Sequence, residues 1–148
     1  MNILVLHGPN MNLIGVRSSR TGDRITLDKI DTALRGKANE LGVALKILQT
    51  HYPGKAITFL HRNRNWADGL IFSPGPWAKF QHDILDTLQL IEIPTIEICF
   101  PREFHANVYA KDSIFTTHAV ARKKGHPLKV YGGALSDLHH YLLSAAKT

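Results

Sequence analysis

Short apolar runs alternate with segments of helical period along almost the whole chain, and this alternation restricts the fold more than any other feature. Residues 2–6 (NILVL) are almost continuously apolar, the mark of a strand buried on both faces. From Thr26 the period changes. Leu27, Ile30, Leu34, Ala38 and Leu41 recur at steps of three and four, with Thr26 placed as N-cap before Leu27-Asp28. Gly42 closes that helix, and residues 43–48 (VALKIL) read as a second strand. Gly54 opens a second helical stretch through Ile57, Leu60 and His61, and Ala67-Asp68-Gly69 turns the chain into a third strand at residues 70–72. After a loop at residues 73–76, Phe80, Ile84, Leu85 and Leu88 mark a helix, and Pro94 begins a fourth strand, TIEIC, at residues 95–99. A polar, irregular stretch is expected from Phe100 to Gly125. It is followed by a fifth strand at residues 128–131 and, after Gly132-Gly133, a last helix carrying Leu135, Leu138, Leu142 and Leu143.

Strands that alternate with helices imply a parallel sheet with right-handed crossovers. Five strands in this rhythm predict a flavodoxin-like α/β fold, a doubly wound three-layer sandwich with strand order 2-1-3-4-5. All 148 residues fit one domain. Ligands of such sheets bind outside the carboxyl ends of the strands, so the loops at residues 7–15, 73–79 and 99–105 are the places to look for chemistry.

Composition narrows the function classes. With 44% hydrophobic and 20% charged residues the chain sits in the globular range. No apolar run approaches the ~18–20 residues of a membrane span. The N-terminal run stops at His7 and lacks a basic leader, so it reads as the first strand rather than a signal peptide. A single Cys excludes an internal disulfide and a cysteine-based zinc site. A cytoplasmic location is the expectation. The net charge of +6 is not strongly clustered. Its densest group, Arg122-Lys123-Lys124, has no interleaved aromatics and reads as a solvated loop rather than a nucleic-acid surface. Excess positive charge instead suits a small anionic ligand, with neither nucleic acid nor membrane as partner.

The segment after the first strand reads His7-Gly8-Pro9-Asn10-Met11-Asn12-Leu13-Ile14-Gly15-Val16-Arg17. It resembles the opening signature of the type II 3-dehydroquinate dehydratases, roughly GPNLNLLGxR. Thr26-Leu27-Asp28, Glu40-Leu41-Gly42-Val43, Gln49-Thr50, Ala67-Asp68-Gly69, Pro74-Gly75 and Ile93-Pro94-Thr95-Ile96-Glu97 extend the resemblance over nearly the whole chain. It implies conversion of 3-dehydroquinate to 3-dehydroshikimate without a cofactor, in the shikimate or quinate pathways. It also implies trimers that pack into dodecamers. In the implied mechanism a loop Tyr, its pKa lowered by an Arg, takes the proton beside the ketone. A water held by an Asn stabilises the enolate, and a His protonates the departing hydroxyl.

Only part of that apparatus is present. Asn10 matches the enolate-stabilising Asn, Arg17 matches the loop Arg, and Asn12 belongs to the same signature. Gly22, or Thr21 with a shifted gap, stands where the Tyr belongs, and Cys99 where the His belongs. Ser73 replaces an Asn that grips a substrate hydroxyl, and Lys79 replaces a substrate-binding His. Pro101-Arg102 replaces the Ser-Asn that holds the substrate carboxylate, and Ala106 and Ala110 replace two Arg residues. General acids and bases each contribute about 10²–10⁴-fold, so these losses predict inefficient dehydration of 3-dehydroquinate.

The expected pocket is rebuilt rather than bare. Arg17, Asn10 and Cys99 are the candidate catalytic residues, and Asn12, Ser73, Gly75, Trp77, Lys79, Arg102 and His105 the candidate substrate contacts. Trp77 would keep an aromatic wall, and Lys79 and Arg102 would keep the site electropositive. Each has a plainer reading: Cys99 as a small buried hydrophobe, His7 as a loop hydrogen-bonder, Lys79 as a solvated helix-end residue, His139-His140 as surface. No histidine spacing suits a metal. Residues 16–25, rich in Ser, Gly and charge, read as a mobile lid loop.

The leading expectation is therefore a divergent acid–base enzyme that performs an elimination or isomerisation on a small, anionic, cyclic metabolite. A genuine dehydratase with a displaced catalytic set and a non-catalytic binding homologue are the alternatives.

Overall fold

The computed structural model describes residues 1–20, 22–104 and 111–146. Five strands, β1 (Asn2–His7), β2 (Ala44–Gln49), β3 (Gly69–Ser73), β4 (Thr95–Cys99) and β5 (Ala121–Lys124), form one sheet in the order β2-β1-β3-β4-β5. Every pairing is parallel. β3 and β4 are buried along their whole length, as expected of strands covered on both faces.

Helices α2 (Leu27–Leu41) and α5 (Pro127–Ala146) cover one face, and α3 (Pro53–Asn63) and α4 (His82–Ile91) cover the other. The strand period of two sorts the core accordingly. Ile3, Val5, Ile71, Ile96 and Ile98 meet Ile30, Leu34, Ala134 and Leu138 on the first face. Leu4, Leu6, Leu70 and Phe72 meet Leu60, Ile84, Leu88 and Phe115 on the second. A short helix α1 (Ile14–Ser19) follows β1 after a 3-10 turn. The ends of α2 follow local chemistry: the Thr26 side chain accepts from the Lys29 amide at 3.3 Å, and Gly42 closes the helix at φ 68°. No helix among the described residues is long and apolar enough to cross a membrane.

Two expectations are corrected. Residues 128–131 are not the fifth strand but the first turn of α5. Pro127 sits where a helix tolerates it, and the His126 ring accepts from the Leu128 amide. Pro127, Val130, Tyr131, Ala134, Leu135 and Leu138 are buried at helical spacing. Gly132-Gly133 costs about 1 kcal/mol per residue in a helix, and each large apolar side chain buried on that stripe returns about 1.5–3 kcal/mol. Burial wins.

The true fifth strand lies inside the stretch expected to be irregular, and the basic group is its substance rather than a solvated loop. Arg122 pairs in register with Glu97, whose carboxylate lies 3.8 Å from the guanidinium, and Lys123 reaches Asp137 at 2.5 Å. Charged side chains are suited to a sheet edge, where they discourage pairing with another chain.

Candidate functional site

A cavity of about 220 Å³ opens at the carboxyl ends of β1, β3 and β4. Its walls come from the loop after β1, from α1, from the Ser73–Pro76 turn and from residues 98–104. At that volume it falls below the ~300–1,000 Å³ of pockets for drug-sized ligands and suits a single small ring.

The loop after β1 is fastened on both sides. The Gly8 amide donates to the Ser73 carbonyl at 2.9 Å, and the Gln49 side chain donates to the Gly8 carbonyl at 3.2 Å. A Cβ added at Gly8 would lie 2.5 Å from the Pro74 carbonyl oxygen, so only glycine lets the β1 and β3 loops approach this closely. Asn10 then adopts a left-handed conformation at φ 68°, which Asn tolerates better than most residues, and its amide donates to the His51 ring at 3.4 Å.

Of the residues singled out from sequence, Asn10, Arg17, Ser73, Gly75 and Cys99 line this one cavity. Trp77 points elsewhere. It is 4% exposed and packs with Phe72 in the core between the sheet and α3/α4. Asn12 and Arg102 are exposed and Lys79 is half-buried at the end of a 3-10 turn, and none of the three lines the cavity. His105, Ala106, Ala110 and Thr21 lie outside the described residues. Gly22, one of the two positions expected from the sequence to stand in place of a Tyr, is exposed at φ 111°, a conformation L side chains rarely adopt.

The lining is one-sided in charge. Among the described residues, Arg17 and Arg20 are its ionised groups, no carboxylate lines it, and neither Arg forms an ion pair. Arg20 escaped sequence reading because residues 16–25 read as a loop, whereas residues 16–19 belong to α1. Once residues 14–19 are helical, the step of three from Arg17 places both side chains on the cavity side. The rest of the lining is largely apolar and includes Ile98, Phe100 and Phe104 beside Cys99. Arg122 donates to the Cys99 sulfur at 3.3 Å. Glu97 does not open into the cavity; it accepts from Ser113 and from Thr116 at 2.6 Å.

A second polar group converges on Ser73 from behind. The Tyr131 hydroxyl is hydrogen-bonded to Ser73 Oγ and lies 3.2 Å from His7 Nδ1, and His7 Nε2 lies 2.9 Å from Asp31 Oδ1. His7 and Tyr131 are almost fully buried. Burial pushes the Tyr131 phenol far above its ordinary range; the Ser73 hydrogen bond pulls it down, and the Asp31 charge pushes it further up. Sequence reading missed this group because it placed Tyr131 on a strand. Among the described residues no cluster of three or more His, Cys, Asp or Glu could hold a metal ion.

Comparison with known proteins adds the lineage. The family model described as dehydroquinase class II matches residues 1–139. A 3-dehydroquinate dehydratase of Pelotomaculum thermopropionicum is 36% identical over 120 residues, 81% of this chain and 79% of its own. The crystal structure of a type II dehydroquinase from Butyrivibrio crossotus superposes with a TM-score of 0.83 at 22% identity, covering 93% of this chain and 97% of that one. That of a type II dehydroquinase from Propionibacterium acnes gives 0.80 at 26% identity, covering 94% and 96%.

Proposed function

The chain belongs to the class II dehydroquinase family, and from that membership we propose that it is an acid–base hydro-lyase acting on 3-dehydroquinate, the compound for which its relatives are named. The observation that carries this reading is the sign of the cavity: among the described residues, two arginines and no carboxylate line it, with room for one small ring. Such a site attracts a carboxylate-bearing ring and stabilises negative charge that develops on it. In a β-hydroxyketone, loss of the proton beside the ketone leaves an enolate. The enolate expels the hydroxyl, which leaves as water, so no cofactor is required. Arg17 and Arg20 neutralise substrate and enolate charge, and Asn10 is positioned at the same rim.

Gly22 provides no base and Cys99 no imidazole acid, so other groups of the cavity must move the protons. The expected rate is at least about 10³-fold below that of a family member with both groups.

A second reading draws on the apolar wall of Ile98, Phe100 and Phe104. That wall offers few partners to a polyhydroxylated ring and favours elimination or isomerisation of a less hydroxylated anionic metabolite. Direct assay of 3-dehydroshikimate formation from its enone absorbance, with a thermal-shift series on the same sample, separates the readings. Slow turnover supports the first. Stabilisation by other cyclic anions without turnover of 3-dehydroquinate supports the second, and stabilisation by 3-dehydroquinate without turnover indicates a binding homologue.

The proposal extends to a cytoplasmic homo-oligomer built from trimers, ultimately a dodecamer. Tyr52, Phe80 and Leu90, exposed at 61, 79 and 73%, offer apolar contact surface. Sedimentation as a monomer at micromolar concentration would contradict it. Residues 16–25 are assigned as the lid. Ser18 Oγ ties this segment together by accepting from the Ile25 amide at 2.8 Å, so Arg17 and Arg20 would move with it.

A further inference from the structure

His7 and Ser73 are the last residues of adjacent parallel strands and are partners in register, so their side chains leave the same face of the sheet. α5 crosses that face and brings Tyr131 between them, while α2 brings Asp31 to the far side of the His7 ring. We propose that Asp31, His7, Tyr131 and Ser73 form a proton relay whose open end is Ser73 Oγ, the group that accepts the substrate's proton in the cavity.

The direction of the relay follows from what each group can donate. An ionised carboxylate only accepts, so Asp31 fixes the proton of neutral His7 on Nε2. His7 Nδ1 is then an acceptor and takes the Tyr131 hydroxyl proton. The Tyr131 oxygen in turn accepts from Ser73 Oγ. The single Ser73 proton is thereby committed inward, and Ser73 presents only lone pairs to the cavity. Although just 2% exposed, Ser73 lines that cavity and is the residue at which the relay meets it.

The step balances without an outside reagent. The substrate C–H bond beside the ketone breaks, its electron pair stays on the substrate as the enolate, and its proton bonds to Ser73 Oγ. The Ser73 proton passes to the Tyr131 oxygen and the Tyr131 proton to His7 Nδ1, leaving an imidazolium paired with Asp31. The proton returns by the same route to the departing hydroxyl, which leaves as water, and His7 is neutral again. Tyr131 conducts in its neutral form, in keeping with a phenol that burial holds un-ionised. The substrate in this sequence rests on the hydro-lyase reading; the direction of the hydrogen bonds does not.

Two measurements test the relay. Ring ¹⁵N shifts of His7 in the unmodified protein should show a proton on Nε2 and none on Nδ1. A proton on Nδ1 would reverse the hydrogen bonds and overturn the relay whatever the activity. Tyr131→Phe keeps the buried ring and removes only the hydroxyl. It should lower kcat about 10²-fold while KM moves less than about threefold, the signature of a lost proton-transfer group. A folded Tyr131→Phe protein with unchanged kcat on 3-dehydroquinate would overturn the relay and leave the substrate assignment intact. An unmodified protein inactive on 3-dehydroquinate but with the Nε2 tautomer would retire that substrate and support the relay.

Discussion

Replacing Gly8 by Ala tests whether the close approach of the two loops builds the cavity. The added Cβ would lie 2.5 Å from the Pro74 carbonyl oxygen, 2.9 Å from that of Ser73 and 3.0 Å from the Pro74 carbonyl carbon. All three are backbone atoms, so no rotamer change relieves the overlap. Moving the oxygen from 2.5 Å to even 3.0 Å requires the β1 and β3 loops to part. That separation stretches the Gly8–Ser73 backbone hydrogen bond, now 2.9 Å. Overpacking of this kind costs about 1–3 kcal/mol, and a weakened hydrogen bond adds about 1 kcal/mol. The expected loss is about 3 kcal/mol, equivalent to a fall in Tm of about 6–12 °C for a chain of this size. Asn10 stands on one of the separated loops and Ser73 on the other, so activity should fall further, by about 10²-fold for a displacement near 1 Å. Urea unfolding and steady-state turnover on the same preparation supply both readouts. A stability change below about 0.5 kcal/mol with unaltered kcat/KM would refute the argument that only glycine fits.

Three further outcomes are expected. Tyr131 is held neutral by burial, whereas the same phenol in the unfolded chain ionises near its ordinary value of 10.0. Its contribution to stability is complete below that pH and is lost above it, at up to about 1.4 kcal/mol per pH unit. Between pH 10 and 11, urea unfolding of the natural protein should therefore lose about 1 kcal/mol more than Tyr131→Phe, and parallel curves would contradict this. Thr26→Ala removes the cap on the Lys29 amide and should cost about 1 kcal/mol with KM unchanged, so a loss under about 0.3 kcal/mol would show that the cap is idle. Gly22→Tyr and Cys99→His together should raise the dehydration rate above that of the natural protein, with each alone changing it less than about threefold. The left-handed backbone at Gly22 limits this gain and costs stability of order 1–3 kcal/mol, so full recovery to an ordinary family rate would show that residue 22 is not constrained as its φ indicates.

A physical line separates the elements legible in the residues from those that are not. Where a segment's burial repeats at its own local period, the residues announce the element. The apolar runs of β1, β3 and β4, the three-and-four spacing of α2 and the Thr26 and Gly42 ends of that helix are all legible because neighbours along the chain decide them. Asn10 and Arg17 stand out through the long signature around them, and the strand order places Ser73 and Cys99 at the same end of the sheet.

What the tertiary structure decides is what depends on partners distant in sequence. Three of the four residues of β5 are charged and it has no apolar run; it becomes a strand because β4 offers an open edge and Glu97 lies opposite Arg122. Residues 128–131 carry β-branched and aromatic side chains that suit a strand in isolation. The buried stripe they share with Ala134, Leu135 and Leu138 turns them into helix. Trp77 follows the same rule, since packing with Phe72 rather than its place in a loop determines where the indole points. The Asp31–His7–Tyr131–Ser73 chain draws on α2, β1, α5 and β3, with His7 and Tyr131 separated by 124 positions in sequence. Hydrogen bonding at 3 Å has no periodic trace in sequence, so only the folded sheet and the two helices laid across it bring those four groups together.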